Sequence, residues 1–181
     1  VNRKITTLKS YFKFLIQEDI ISENPTRKII SPKKSKKIPV FVEKSKMDSL
    51  LSEIEFPDSF EGERDKLILD VFYMTGIRLS ELLSLKINDI DQLNQTMKVL
   101  GKRNKERIIP LSINLLNEIL NFSEKHKTNN YIFVNCEGKN LSSKQVYIIV
   151  NKYLSMVSTI EKKSPHVLRH TFATHMLNNG A

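Results

Sequence analysis

Between Arg64 and Met74 the chain carries LILDVFYM, a run that is apolar nearly all the way round a helix. Such a helix has no face to give to water, so it belongs at the centre with other elements packed about it. Thr75-Gly76 ends it, and glycine suits the left-handed cap that stops a helix. The neighbouring segments supply what a central helix needs. Met47, Leu50, Leu51 and Ile54 mark one amphipathic helix before it, and Leu79, Leu82 and Leu83 line a short helix after it. The period then changes. Residues 86–90, 95–100 and 106–110 are predicted as three short strands, with turns at DQLN and GKRNK. A helix follows at about 112–125, and YIFVN at 131–135 suits a short strand or an extended segment. Val146, Ile149, Val150, Tyr153 and Leu154 define another helix. Ser164-Pro165 is a helix start, and the last helix runs to Asn178-Asn179-Gly180. The fold class is mostly α with a small three-stranded antiparallel sheet.

Residues 3–17 form a second kind of problem. Ile5, Leu8, Phe12, Leu15 and Ile16 make one apolar stripe, but Asn24-Pro25 breaks the chain soon afterwards. A lone helix cannot bury its stripe, so residues 1–25 suggest the end of a helical domain. Residues 26–40, TRKIISPKKSKKIPV, are lysine-rich, bracketed by prolines and aperiodic, as an extended linker would be. Lys33, Lys34, Lys36 and Lys37 make it either a plain solvated spacer or a strap along a polyanion. A compact domain occupies 41–181. The net charge of +9 favours nucleic acid among possible partners, although lysine used for solubility gives the same figure. No apolar run reaches membrane-spanning length, and no signal peptide is visible. A single cysteine, Cys136, excludes an internal disulfide and suits a reducing cytoplasm. The first residue is Val, which points to an excerpt or a processed product.

Three stretches carry candidate chemistry. TGIRLSELLSL at 75–85 puts Arg78 just past the glycine, where its guanidinium can offer two parallel hydrogen bonds to a phosphate. An ion pair with Glu81, three residues on, is the plainer alternative, and the two roles can coexist. SPHVLRHTFATHMLNNGA at 164–181 puts His166 and Arg169 on one face of a helix's first turn, where free N–H groups favour an anion. His170 and His175 are expected to pack or to make structural hydrogen bonds. The basic turn GKRNKER at 101–107 offers Lys102, with Arg103, Lys105 and Arg107 close by, and a hairpin tip can reach into a DNA groove. Together these groups could surround one phosphate.

With TGIRLSEL, GKRNKERIIPL and SPHVLRHTFATHMLNNGA in this order, the chain resembles the tyrosine recombinases of the phage integrase family, close to bacterial Xer-type and mobile-element members. YFKFLIQEDIISENPTRKIISPKKSKKIPVF resembles the end of that family's core-binding domain and its linker. The resemblance implies a catalytic domain preceded by the last helix of the core-binding domain. It implies that Arg78 and Arg169 bind the non-bridging oxygens of a scissile phosphate and stabilise the transition state. His166 would hydrogen-bond that phosphate and assist proton transfer. Lys102 would protonate the leaving 5′ oxygen, and Glu81 would support Arg78. Lys33, Lys34, Lys36, Lys37, Arg103, Lys105 and Arg107 would contact double-stranded DNA. No metal and no cofactor are expected, since the arginines supply positive charge and a phosphotyrosyl bond stores the cleaved linkage. A DNA-assembled homotetramer in the bacterial cytoplasm, at the nucleoid, is the implied setting.

The family's nucleophilic tyrosine is not among Tyr11, Tyr73, Tyr131, Tyr147 and Tyr153, none of which stands in its context. A fragment truncated before that tyrosine, unable to cleave DNA alone, is therefore expected. Tyr147 and Tyr153 are expected to pack on a helix face. Arg103 stands where the family often has glycine. A non-catalytic DNA-binding regulator on the same scaffold is the rival, and a helix-turn-helix regulator a more distant one.

Overall fold

Ser59 sets the start of the central helix by accepting a hydrogen bond from the Gly62 N–H at 3.2 Å, in a computed structural model that describes residues 1–32, 40–101, 105–128 and 130–180. Helix α3, Phe60–Thr75, then carries Glu61 and Glu63 in its first turn, where the helix dipole favours negative charge. Ile68, Leu69, Val71 and Phe72 are fully buried, as the all-round apolar run requires. Even some of its charged residues are inside. Arg64 donates to the Asp65 carboxylate at 2.7 Å. It also reaches the Val134 carbonyl at 3.4 Å. Neither charge is therefore buried alone.

The chain divides into two compact units, Val1–Ile38 and Pro39–Ala181. The first holds α1, Asn2–Gln17, whose residues are none of them buried. In it Leu8, Tyr11 and Phe14 are exposed, and the rest of the expected stripe is half-buried. Asn24 ties the following turn by accepting from the Thr26 N–H and hydroxyl at 2.9 and 2.6 Å.

The second unit runs through α2 (Lys44–Ser52), α3, α4 (Leu79–Ser84), strands β1 (Ile90–Asp91), β2 (Thr96–Leu100) and β3 (Glu106–Pro110), then α5 (Ile113–Lys125), α6 (Ser143–Val157) and α7 (Pro165–Asn178). Helix α3 packs against α2, α5 and α7, and α6 against α2, α4 and α7. Ser112 and Ser142 cap α5 and α6 through their hydroxyls. The sheet is antiparallel in the order β1-β2-β3. Met97 lies opposite Ile109 and Val99 opposite Arg107, and this face turns to the core; Lys98 and Ile108 face out. Among the described residues no helix is long and apolar enough to cross a membrane.

Three local expectations need correction. Residues 86–89 are not a strand, and the first strand is only Ile90–Asp91. Ile87–Asp89 forms a 3-10 turn, because the Asp89 carboxylate accepts the Lys86 N–H at 2.9 Å. That bond closes the backbone on itself. The strand at 95–100 begins one residue later, since Gln95 is left-handed at φ 51° in the turn that Asp91 and Asn94 close. The segment 131–135 makes only isolated bridges, Lys86 with Tyr131 and Val134 with Asn140, while Ile132 and Phe133 enter the core. Ser164 does precede α7, but it is the Ser164 carbonyl that serves, accepting from the Val167 and Leu168 N–H groups at 2.9 and 3.2 Å.

Candidate active site

The site begins where α3 stops. Gly76 takes φ 57°. A Cβ there would clash with the edge of the Phe172 ring from α7. Only glycine lets α3 turn while α7 lies this close. Ile77 is fully buried and anchors the turn, so Arg78 emerges at the N-cap of α4 with its position set on both sides. Glu81, in the first turn of α4, is 2% exposed. Its Oε1 accepts the Arg78 guanidinium at 2.7 Å, and its Oε2 accepts the Arg78 backbone N–H at 2.7 Å.

A further cation completes the cluster. Arg107 Nη2, from β3, donates to Glu81 Oε2 at 2.8 Å. Burial alone would raise the Glu81 carboxyl; the bonds from the Arg78 N–H, the Arg78 guanidinium and Arg107 outweigh it and hold the group below the usual carboxylate range. Arg169, the fifth residue of α7, donates through Nη1 to the Gly76 carbonyl. Its basicity is lowered, first by burial and then by repulsion from Arg78 and Arg107. Three guanidinium groups thus act on one another across a single carboxylate. Such a cluster carries net positive charge and favours an anion.

The base of the basic turn also lies here. The Gly101 N–H donates to the Lys105 carbonyl at 2.8 Å, and a Cβ on Gly101 would come within 3.6 Å of both Arg78 Nη1 and Glu81 Oε1. Lys105 is exposed next to this base. Lys102 and Arg103 lie outside the described residues, as do Lys33, Lys34, Lys36 and Lys37. His166 is exposed in the first turn of α7, on the helix face that carries Arg169.

Elsewhere the expectations divide. His175 packs edge-on to Phe41 and shares a 3.0 Å hydrogen bond with the Tyr73 hydroxyl, a structural role. His170 does not pack: it is exposed, with no hydrogen bond among the described residues. Tyr153 is 1% exposed, whereas Tyr147 is not a packing residue at 47%. Cys136 is at the surface. Two contacts were missed. The clasp of Arg107 on Glu81 was legible in strand alternation, which puts Arg107 on the same face as Ile109. The fully buried Thr171 accepts the Val42 N–H at 2.9 Å and fastens the start of the domain to the helix of His166 and Arg169; no sequence signal marks that bond.

A helical domain with a small antiparallel sheet, and arginines from α4, β3 and α7 gathered at one helix end, defines a class. Residues 40–181 match the phage integrase family, and the chain belongs to it. The tyrosine recombinase XerC of Staphylococcus epidermidis is 38% identical over 186 residues, an overlap of 100% of this chain and 62% of that protein. The chain therefore spans less than two thirds of that relative. Among solved structures, the Tn1549 transposon integrase in complex with transposon right end DNA superposes with a TM-score of 0.77 at 22% identity, over 99% of this chain and 67% of that one. The XerA recombinase gives 0.68 at 23%, over 99% and 63%. At these identities the structural likeness is one of fold.

Proposed function

We propose that the chain is a fragment of a site-specific tyrosine recombinase that carries the phosphate-binding residues but not the nucleophile; the parent protein cuts and rejoins double-stranded DNA through a 3′-phosphotyrosyl intermediate. The convergence of Arg78 and Arg169 on the Gly76 turn supports this reading. Two elements distant in sequence bring guanidinium groups to one place, and among the described residues nothing there balances them except the Glu81 carboxylate. In the reaction a tyrosine oxygen attacks phosphorus, the 5′ oxygen leaves, and negative charge grows on the two non-bridging oxygens. Arg78 and Arg169 would bind those oxygens. His166 would hydrogen-bond the same phosphate and move the tyrosine's proton. Lys102 would protonate the leaving oxygen from the turn whose base adjoins Arg78. Rejoining is the reverse, with each phosphodiester exchanged for one phosphotyrosine ester, so no external energy source is required.

We place the nucleophile outside these residues: Tyr73 is committed to His175, Tyr153 is in the core, and Tyr11, Tyr131 and Tyr147 precede the HVLRH segment and do not stand in the family nucleophile's context. Residues 1–25 would belong to the core-binding domain and 26–40 would be the basic linker, with Lys33, Lys34, Lys36 and Lys37 on the DNA backbone and Arg103 and Lys105 beside the cleavage site. The complete protein would act as a homotetramer assembled on DNA in the cytoplasm. The test is covalent trapping. The complete gene product is incubated with nicked duplexes carrying a site it has selected from a random pool. A protein–DNA adduct is expected, and Arg78→Gln or Arg169→Gln should lower its rate about 10²–10³-fold while most of the binding remains. Equal losses of binding and rate would make these residues DNA contacts only.

A further inference from the structure

Arg107 is a basic residue next to a basic turn, and its sequence context suggests one more contact to the DNA backbone. Its place in the sheet argues otherwise. It lies opposite Val99, on the face of β3 that turns to the core, and its side chain is 35% exposed. Its Nε is buried and has no hydrogen-bond partner among the described residues, while its Nη2 is spent on Glu81 Oε2 at 2.8 Å. Glu81 is nearly inaccessible, so both its oxygens depend on these donors: Oε1 on the Arg78 guanidinium, Oε2 on the Arg78 N–H and Arg107.

We infer that Arg107 is a positioning residue for the phosphate site: held on β3, it fixes Glu81, and Glu81 in turn orients Arg78. The inference rests on the reading of Arg78 as a phosphate ligand. Its physical content is a division of charge. With two guanidinium groups on one carboxylate, the cluster of Arg78, Arg107 and Glu81 keeps net positive charge to offer an anion. Without Arg107, Arg78 alone must neutralise a buried carboxylate, and the two form a closed pair. The clasp also joins β3 to α4, which keeps the base of the hairpin, at Gly101 and Lys105, beside Arg78.

The test uses the 181-residue chain with Arg107→Gln and Arg107→Lys. Carboxyl carbon NMR follows the titration of Glu81, and the Nε–H signal of Arg78 follows binding of inorganic phosphate. With Arg107→Gln, Glu81 should titrate at higher pH and phosphate affinity should fall about tenfold, the scale of a coupled contact. Arg107→Lys keeps one charged donor and should restore most of both. An unmoved Glu81 titration overturns the inference, and if phosphate affinity falls all the same, Arg107 touches the ligand itself. Should Arg107→Gln fail to give a folded amide spectrum, Arg107→Lys against wild type decides: a Glu81 titration identical to wild type overturns the inference, and a smaller upward shift supports it. Arg169→Gln serves as the control. If it leaves phosphate affinity unchanged, the phosphate reading fails, while the Glu81 titration still decides the role of Arg107.

Discussion

Replacing Gly76 by alanine should be among the costliest small changes available to this domain. Two penalties act at once. Gly76 sits in the left-handed region. Holding an L residue there costs roughly 1–2 kcal/mol. The new Cβ would also clash with the edge of the Phe172 ring. Forcing extra volume into a packed site costs about 1–3 kcal/mol. Together they give about 2–5 kcal/mol, against a total stability on the order of 5–15 kcal/mol. With an m-value of about 2 kcal/mol/M in urea, the midpoint should fall by about 1–2.5 M. The steric part can be isolated with Phe172→Ala. In that background Gly76→Ala should cost only the backbone share, so the cycle should show a coupling of about 1–3 kcal/mol. A cost below about 0.5 kcal/mol for Gly76→Ala, or additive costs in the cycle, would refute the claim that α3 and α7 meet through this glycine. Because the Gly76 carbonyl accepts Arg169, the same change should weaken DNA binding in the surviving folded fraction.

Glu81→Gln leaves two guanidinium groups facing each other without their shared carboxylate. It should cost about 3 kcal/mol at neutral pH. The folded protein holds this carboxyl below its ordinary value. Its contribution is therefore complete above about pH 4.3 and disappears as pH falls through the lowered folded value. Urea midpoints of wild type and Glu81→Gln should converge in acid. Asp70 gives the opposite sign. Burial, only partly offset by Lys66, raises its carboxyl, so ionising it opposes folding above the raised value. Asp70→Asn should raise the melting temperature at pH 7, and the gain should vanish below about pH 3.9. Thr171→Val leaves the buried Val42 N–H without its acceptor. It should cost about 1–3 kcal/mol, visible as faster amide exchange at Val42.

The parts of the fold legible in the sequence are those where one face of an element must be buried. The run from Leu67 to Phe72 marked α3 as central, and the positive φ of Gly76 followed from a glycine after a helix. Strand alternation located β2 and β3 to within a residue. Residues 86–89 form a turn and not the expected strand because Asp89 closes it, and a local side-chain bond leaves no periodic trace. Of the site, Arg78, Glu81 and Arg169 stood out through their motifs, and the structure brings them together. The clasp of Arg107 on Glu81 crosses 26 residues and depends on which face of β3 looks inward. The bond from Val42 to Thr171 crosses 129, and only packing makes it.

The most direct measurement is a binding cycle. The affinity of the 181-residue chain for a nicked duplex is measured at one salt concentration for wild type, Arg78→Gln, Arg169→Gln and the double variant. If both arginines hold one phosphate, the double variant should lose less than the sum of the two single losses, by at least about 0.5 kcal/mol. Losses that add to within about 0.3 kcal/mol would mean the two side chains serve separate phosphates, and the shared site proposed for Arg78 and Arg169 would not stand.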